Sequence, residues 1–508
     1  MTIAVCALVV ASLTACAPEL RASWTPAGWD VDGQIVAASV PGGPDVGDPA
    51  SVDTLDMRLR NDDIGIDARW AALPGNPAIN AVLEGLVRTA VSDRASVSGM
   101  GYRPEVFDAG AGLGERGCAP GATTTRATEV LGDRSGVVIV CEIALARGSV
   151  FAESIRTVTG VDGVVASDET TTIYTDLSTG MVVTGADLFT DPAALWTMTV
   201  DTLRRTFGSL SLAPVRAPDA EQLAHFAGVL EQASLQDGKI SIPVPDSLHA
   251  PELDGLVRWQ GRSRDEKRAV EFTTAVASSA LTPMGLAVGD AVGAYAGPMS
   301  AGSGFERMPC DLVPCMAMTL DDGPSSLTPG FLDVLEAEQS AATFFMLGKN
   351  AQRHPETVAR VAADGHQVGN HTWDHPYLTD LTDEQVRAQL GDTRALLQQL
   401  SGQSVGTFRP PGGFIDDHVL ALAAQPAIMW SVDTRDWAGP SDEELLTFAI
   451  ERPERSTIML MHDIQNGSAR VFGDVVAGLR DRGLSLVTID QLFGGAVPVG
   501  IVRHGPLL

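Results

Sequence analysis

The polar residues best suited to chemistry lie in the second half of this 508-residue sequence, where seven of the nine histidines follow residue 350. His371 and His375 are four positions apart, a spacing that on a helical turn directs both imidazoles toward one divalent ion. Asp321 and Asp322 are adjacent, and two carboxylates this close would force one to bind a proton unless a positive charge lay nearby. A metal ion meets both needs, with one aspartate as ligand and the other free to accept a proton from water.

Short apolar runs alternate with helical patterns around these residues. The runs are MAMTL (316–320), ATFFML (342–347), IMWSV (428–432), STIMLM (456–461) and LSLVTI (484–489). Between them, Pro355 suits a first helical position, Thr382 an N-cap and Gly402 a helix end. The repeated strand–helix order predicts a parallel sheet or barrel, which places chemistry at the carboxyl ends of its strands.

Five short motifs follow these runs in order. They are TLDDGP (319–324), HTWDH (371–375), RPPGG (409–413), DTRDW (433–437) and LMH (460–462). Together they resemble the polysaccharide deacetylases with a NodB homology domain, carbohydrate esterase family four. The resemblance implies an α/β fold, with a distorted (β/α) barrel as catalytic domain over residues 308–495. The mixture of strand-like and helical runs before residue 295 predicts a smaller α+β domain in front of it.

The resemblance also implies a role for each matching residue. Asp321 would be the general base and His462 the general acid. Asp322, His371 and His375 would hold one divalent metal ion; zinc is favoured, while cobalt, nickel and manganese also suit two imidazoles and a carboxylate.

Supporting roles follow from the same motifs. Arg409 would orient Asp321 and keep it ionised, and either Asp433 or Asp436 would hold His462. Substrate contacts fall to Pro410, Pro411, Gly412 and Trp437. This chain departs from the family pattern at Gly412, where a tyrosine is common; glycine keeps the backbone N–H expected at the oxyanion but positions it less firmly.

The first fifteen residues, MTIAVCALVVASLTA, form an uncharged apolar run that ends at Cys16. The run is too short to span a bilayer and is typical of a secretory signal. Residues 13–15 resemble a bacterial lipobox, which implies a lipidated Cys16 and an anchor on the outer face of the cell membrane; plain secretion is the alternative. Residues 16–56, rich in proline and glycine, are predicted to form a flexible tether, and residues 57–295 an α+β domain of unassigned function.

Cysteine and charge counts agree with export. Four cysteines remain after the signal, an even number suited to an oxidising compartment, and we pair them as neighbours, Cys118 with Cys141 and Cys310 with Cys315. Four reduced, buried thiols are the alternative. The net charge of −29 argues against nucleic acid as a partner.

The favoured function is therefore an exported, metal-dependent N-deacetylase of cell-wall peptidoglycan. An O-acetyl esterase or chitin-type deacetylase with the same motifs is an alternative. So is an envelope glycan-binding or sensing protein with a vestigial catalytic half. The oligomeric state stays open.

Overall fold

The computed structural model describes residues 33–37, 52–260, 268–297, 304 and 306–506. The predicted signal peptide (1–15), Cys16 and most of the predicted tether lie outside the described residues. The described part of the chain forms two compact units, one within Met1–Gly42 and Ala186–Ala291, the other within Gly43–Gly185 and Val292–Leu508. Among the described helices, none combines the length and apolar character that crossing a membrane requires.

Strands and helices are numbered here in chain order. The strands are β1 (Gln34–Ala37), β2 (Leu55–Asn61), β3 (Ile66–Ala72), β4 (Gly136–Arg147), β5 (Val150–Val161), β6 (Val164–Asp176), β7 (Met181–Thr184), β8 (Ser234–Gln236), β9 (Lys239–Pro243), β10 (Arg268–Thr273), β11 (Cys315–Asp321), β12 (Thr343–Met346), β13 (Gln367–Asn370), β14 (Ala427–Ile428), β15 (Val432–Asp433), β16 (Ile458–His462), β17 (Ser485–Val487) and β18 (Ile501–Val502). The helices are α1 (Pro77–Ser98), α2 (Ala127–Leu131), α3 (Pro192–Thr206), α4 (Ala220–Leu230), α5 (Val257–Gln260), α6 (Thr274–Ala277), α7 (Pro283–Asp290), α8 (Thr328–Ala337), α9 (Gly348–Ala351), α10 (Pro355–Ala363), α11 (Asp383–Ser401), α12 (Asp417–Ala423), α13 (Asp442–Glu451), α14 (Asn466–Asp481) and α15 (Ile489–Leu492).

The first unit is built on a four-stranded antiparallel sheet in the order β1-β10-β9-β8. Helices α3 and α4 join through Trp196 and Phe226, whose rings meet edge to face at 5.4 Å. Strand β1 falls inside the segment predicted as a flexible tether. That segment therefore contributes a sheet edge, with Ile35 opposite Val270.

The second unit contains a six-stranded sheet in the order β2-β3-β4-β5-β6-β7. Only the β3–β4 pair is parallel among these strands. Helix α1 begins at Pro77 and ends before Gly99, which takes the left-handed conformation at φ 70°. Its buried residues repeat every four positions, from Ile79 to Val91, and so form one apolar stripe.

This sheet and the parallel strands of the same unit share one hydrophobic core. Leu59, Trp70 and Leu83 from the sheet and its helix belong to the same buried cluster as Phe345 and Ile458. The observed division of the chain therefore differs from the predicted single domain over 57–295. Residues up to 185 belong to the same unit as the barrel, because their buried side chains share its hydrophobic core. Residues 186–291 belong to the other unit.

The parallel strands form the predicted distorted (β/α) barrel. Five of them run in the order β13-β12-β11-β16-β15, and β17 pairs with the first half of β11. Phe408 then bridges Asn370 of β13 to Ala427 of β14, and β14 pairs with β18. Because β18 extends to Val502, the barrel continues past the predicted boundary at 495.

One predicted strand of the barrel is wrong. The run IMWSV (428–432) is divided between β14, which ends at Ile428, and β15, which begins at Val432. The carbonyl oxygens of Ile428 and Met429 accept hydrogen bonds from the Arg409 guanidinium at 2.9 and 3.1 Å instead of pairing with a neighbouring strand.

Capping residues set both ends of helix α11 as predicted. The side chain of Thr382 accepts a hydrogen bond from the Gln385 N–H, and the side chain of Gln385 accepts one from the Thr382 N–H. The two residues together cap helix α11. Gly402 ends the helix at φ 71°. The structure joins Cys118 to Cys141 and Cys310 to Cys315, the pairing of neighbours that the sequence predicts.

Candidate active site

The carboxyl ends of the barrel strands bring the motif residues together. Asp321 ends β11 and His462 ends β16, and the two residues are direct partners in the register of these parallel strands. His371 follows the last residue of β13, and Arg409 follows the bridging residue Phe408. The strand-end rule therefore places the four side chains around one point of the barrel rim.

Arg409 is fully buried and forms an ion pair with Asp321, with 2.7 Å between Nη1 and Oδ1. The guanidinium also donates to the Thr319 hydroxyl at 2.8 Å and lies 4.3 Å from the centre of the Phe345 ring. These contacts fix the arginine, and the arginine in turn fixes one carboxylate oxygen of Asp321. The other oxygen, Oδ2, faces His371 Nε2 at 3.7 Å.

Burial raises the pKa of Asp321, and the positive charges of Arg409 and His462 oppose this rise without cancelling it. A carboxylate with a raised pKa is a stronger base than a solvated one. Asp321 therefore has the electrostatic character of a general base as well as its position.

Asp322, His371 and His375 form a cluster of possible metal ligands. Asp322 Oδ1 lies 3.5 Å from His371 Nε2 and 3.6 Å from His375 Nε2. The HTWDH segment is not the predicted helical turn. Thr372 and His375 both have positive φ, 71° and 73°, so the segment is an irregular loop that still brings the two rings to 5.1 Å.

Three observations show that this cluster fits a metal ion. Asp322 Oδ1 is buried and has no hydrogen-bond partner among the described residues, although buried carboxylate oxygens are normally satisfied. His371 Nδ1 donates to the Arg409 carbonyl at 2.8 Å, which leaves the Nε2 lone pair directed at the cluster. Burial lowers the pKa of His371 to about 3, so the ring is neutral at neutral pH, as a ligand must be.

His462 is held by Asp436. The His462 ring Nδ1 lies 2.8 Å from Asp436 Oδ1, and the His462 backbone N–H donates to Asp436 Oδ2 at 2.8 Å. Burial lowers the pKa of His462, but the hydrogen bond and charge of Asp436, with Asp321 and Asp322, raise it to about 9 overall. His462 is therefore an imidazolium at neutral pH in the metal-free protein, with a proton available on Nε2.

The remaining predicted residues divide into two groups. Asp433 accepts a hydrogen bond from the Arg435 N–H at 2.8 Å, so Asp436 is the aspartate that supports His462. Pro410 and Pro411 are buried, whereas Gly412, in the turn Pro411–Gly413, and Trp437, in the turn Asp436–Ala438, are exposed.

Three supporting residues were not among the predicted site residues. Ser468, on helix α14, donates to Asp436 Oδ2 at 2.6 Å. Thr319 precedes Asp321 by two positions, so the period of a strand puts both on the same face, a signal that the sequence does contain. Asp463 packs against Gly323, so that a Cβ added to Gly323 would stand 2.2 Å from Asp463 Oδ2. Burial raises the pKa of Asp463 to about 7.

Comparisons with known proteins find relatives of the part of the chain that carries these residues. The sequence profile described as polysaccharide deacetylase matches residues 310–428. The peptidoglycan-N-acetylglucosamine deacetylase PgdA of Listeria monocytogenes is 39% identical over 190 residues, which cover 36% of this chain and 40% of PgdA. The peptidoglycan-N-acetylmuramic acid deacetylase PdaC of Bacillus subtilis is 35% identical over 178 residues, covering 35% of this chain and 38% of PdaC.

A shorter relative is covered almost completely. A peptidoglycan-N-acetylglucosamine deacetylase of Bacillus cereus is 33% identical over 186 residues, which cover 35% of this chain and 87% of that protein. The chain thus spans about two fifths of the length of the first relatives but nearly all of this one.

Proposed function

Because the chain belongs to the polysaccharide deacetylase family, we propose that it is a metal-dependent N-deacetylase that hydrolyses the acetamide groups of cell-wall peptidoglycan. The observation that carries the proposal is the joint placement of a buried base, a ligand cluster and a charged acid. Asp321, Asp322 and His462 stand at the ends of two paired strands. The names of the relatives support peptidoglycan as the substrate.

The metal site would be made by Asp322, His371 and His375. A divalent ion held there would lower the pKa of a water molecule and polarise the acetyl carbonyl. Zinc suits this ligand set best, and cobalt, nickel or manganese would also fit it.

The other residues act one after another in the reaction. Asp321 takes a proton from the attacking water, and Arg409 keeps the carboxylate aimed during that transfer. His462 then gives its Nε2 proton to the sugar nitrogen as the carbon–nitrogen bond breaks, so that acetate and a free amine leave. Asp436 holds the imidazolium in place before the transfer.

The test is acetate release by the full chain loaded with zinc. Peptidoglycan and N-acetylglucosamine oligomers would be the substrates, and an O-acetylated xylan would test the esterase alternative. Asp321→Asn is the variant that should lose the activity, by about 10²-fold or more. Absence of acetate from every N-acetylated polymer, despite bound metal, would overturn the proposal.

We also propose that the protein is exported and anchored to the outer face of the membrane by a lipid on Cys16. The support is the uncharged apolar run that ends at this cysteine. Mass spectrometry of the mature amino terminus tests it, since Cys16→Ser should remove the lipid and release the protein from the membrane fraction. An unmodified Cys16 in wild-type protein would refute anchoring.

A further inference from the structure

Three large aromatic side chains remain exposed on loops that follow the barrel strands. The exposed fractions are 47% for Tyr377, 51% for Phe414 and 57% for Trp437. Tyr377 lies two residues beyond His375, and Phe414 lies directly after the 3-10 turn Pro411–Gly413. Exposed apolar groups beside a candidate active site commonly mark a ligand surface.

Tyr377 and Phe414 contact each other across this edge of the site. Their ring centres are 4.6 Å apart and their planes are inclined by 44°. The two rings come from different loops, one after the ligand segment and one after Arg409. They therefore form one surface shared by the loop that carries His375 and the loop that follows Arg409.

Gly412 lies beneath this pair. A Cβ added to Gly412 would stand 3.1 Å from a carbon of each ring, and the residue has a φ of 60°. A larger residue would therefore push the rings apart as well as strain the backbone. The absence of a side chain at Gly412 allows the rings to close over the loop.

We propose that Tyr377 and Phe414 form a binding subsite for a pyranose ring of the glycan, adjacent to the sugar that loses its acetyl group. This inference rests on the proposed function and deepens it. A pyranose has C–H faces that pack on aromatic rings while its hydroxyl groups keep their water, so half-exposed rings suit it. The subsite lengthens the site from one sugar to a segment of polymer.

The surrounding charges favour a neutral sugar over an anionic ligand. Asp374 precedes Tyr377 by three positions, and Asp416 and Asp417 follow Phe414 closely; all three are exposed. Their carboxylates would repel phosphate or an anionic lipid headgroup. An uncharged acetylated sugar carries no such penalty.

The test compares short and long substrates with the zinc-loaded full chain. For a pentasaccharide of N-acetylglucosamine, Tyr377→Ala with Phe414→Ala should raise KM about tenfold and leave kcat within about twofold, because the rings bind sugar without touching the reacting atoms. The change in KM should be smaller for the single sugar N-acetylglucosamine, which cannot fill the adjacent subsite. Tyr377→Phe, which keeps the ring, should preserve the wild-type KM.

Val499→Ala is the matched control, since it truncates an apolar side chain that is 90% exposed. It should change neither constant. Equal melting temperatures for all variants would show that the KM change is not a loss of folding.

The outcomes separate the two proposals. If wild-type protein releases acetate but the double variant keeps the wild-type KM for the pentasaccharide, the subsite is refuted and the proposed function stands. If wild-type protein releases acetate neither from the pentasaccharide nor from peptidoglycan, both proposals fail.

Discussion

Replacing Asp436 with asparagine should lower the pKa of His462 and impair proton donation to the leaving amine. The substitution keeps the size of the side chain and removes its charge. Asp436 is fully buried, and its two oxygens bind the ring and the backbone of His462. Removing the charge of Asp436 therefore changes the pKa of His462 in particular.

The magnitude follows from the raised pKa. His462 has a pKa of about 9, against about 6.5 for a free imidazole, and this difference corresponds to about 3 kcal/mol of preference for the charged ring. Without Asp436, burial would dominate and the ring would be largely neutral at neutral pH. We expect kcat to fall about 10²- to 10⁴-fold, the range for loss of a general acid.

Two measurements follow the change. An NMR titration of the metal-free protein should give a pKa near 9 for His462 in the wild type and a value below about 7 in Asp436→Asn. In the zinc-loaded enzyme, the alkaline limb of the kcat/KM profile should move to lower pH.

The sign of the effect on stability can be checked in the same protein. Because folding raises the pKa of His462, the ion pair stabilises the metal-free fold fully below about pH 6.5, and this contribution is lost as the pH rises through about 9. Urea unfolding should show that loss in the wild type and not in the variant.

Asp433→Asn is the matched control. It makes the same substitution in the same motif, but Asp433 bonds to the Arg435 N–H instead of to His462. It should keep the wild-type pKa and nearly all of kcat. Equal losses in the two variants, or an unchanged His462 pKa in Asp436→Asn, would refute the assignment.

Three further predictions concern the ligands, the loop behind them and the buried cation. His375→Ala should weaken zinc binding by tenfold or more in equilibrium dialysis, whereas His418→Ala, which removes an exposed ion pair, should not. Gly323→Ala should lower the melting temperature, because the added Cβ would stand 2.2 Å from a carboxylate oxygen. Gly330→Ala should leave the melting temperature unchanged or raise it, because open space surrounds Gly330. Arg409→Met should cost about 3–5 kcal/mol of unfolding free energy, because it leaves a buried carboxylate unpaired; a urea midpoint equal to that of the wild type would contradict the buried ion pair.

The motif positions were predictable because they depend on strand order. In a parallel barrel every strand ends on the same side, so residues such as Asp321 and His462 can be assigned to one site without coordinates. The choice between Asp433 and Asp436 could not be made this way. It depends on Ser468, a residue of a later helix, and on Arg435, whose φ of 56° turns the chain at this point.

Local patterns also failed where distant contacts decide the structure. The spacing of His371 and His375 fits a helix, but positive φ at Thr372 and His375 produces a loop. The loop, like the predicted helical turn, brings the two imidazole rings close together. Strand β1 carries no strong signal of its own and is paired only through β10, far along the chain.

The hydrophobic core shared between the six-stranded sheet and the barrel affects how this protein can be divided. A fragment that starts at Met308 would keep all five motifs, yet it would lose the residues before 185 that belong to the same buried cluster as Phe345, Ile458 and Val487. We expect such a fragment to aggregate. In grafting experiments, the unit of exchange for this enzyme is therefore the barrel together with its sheet.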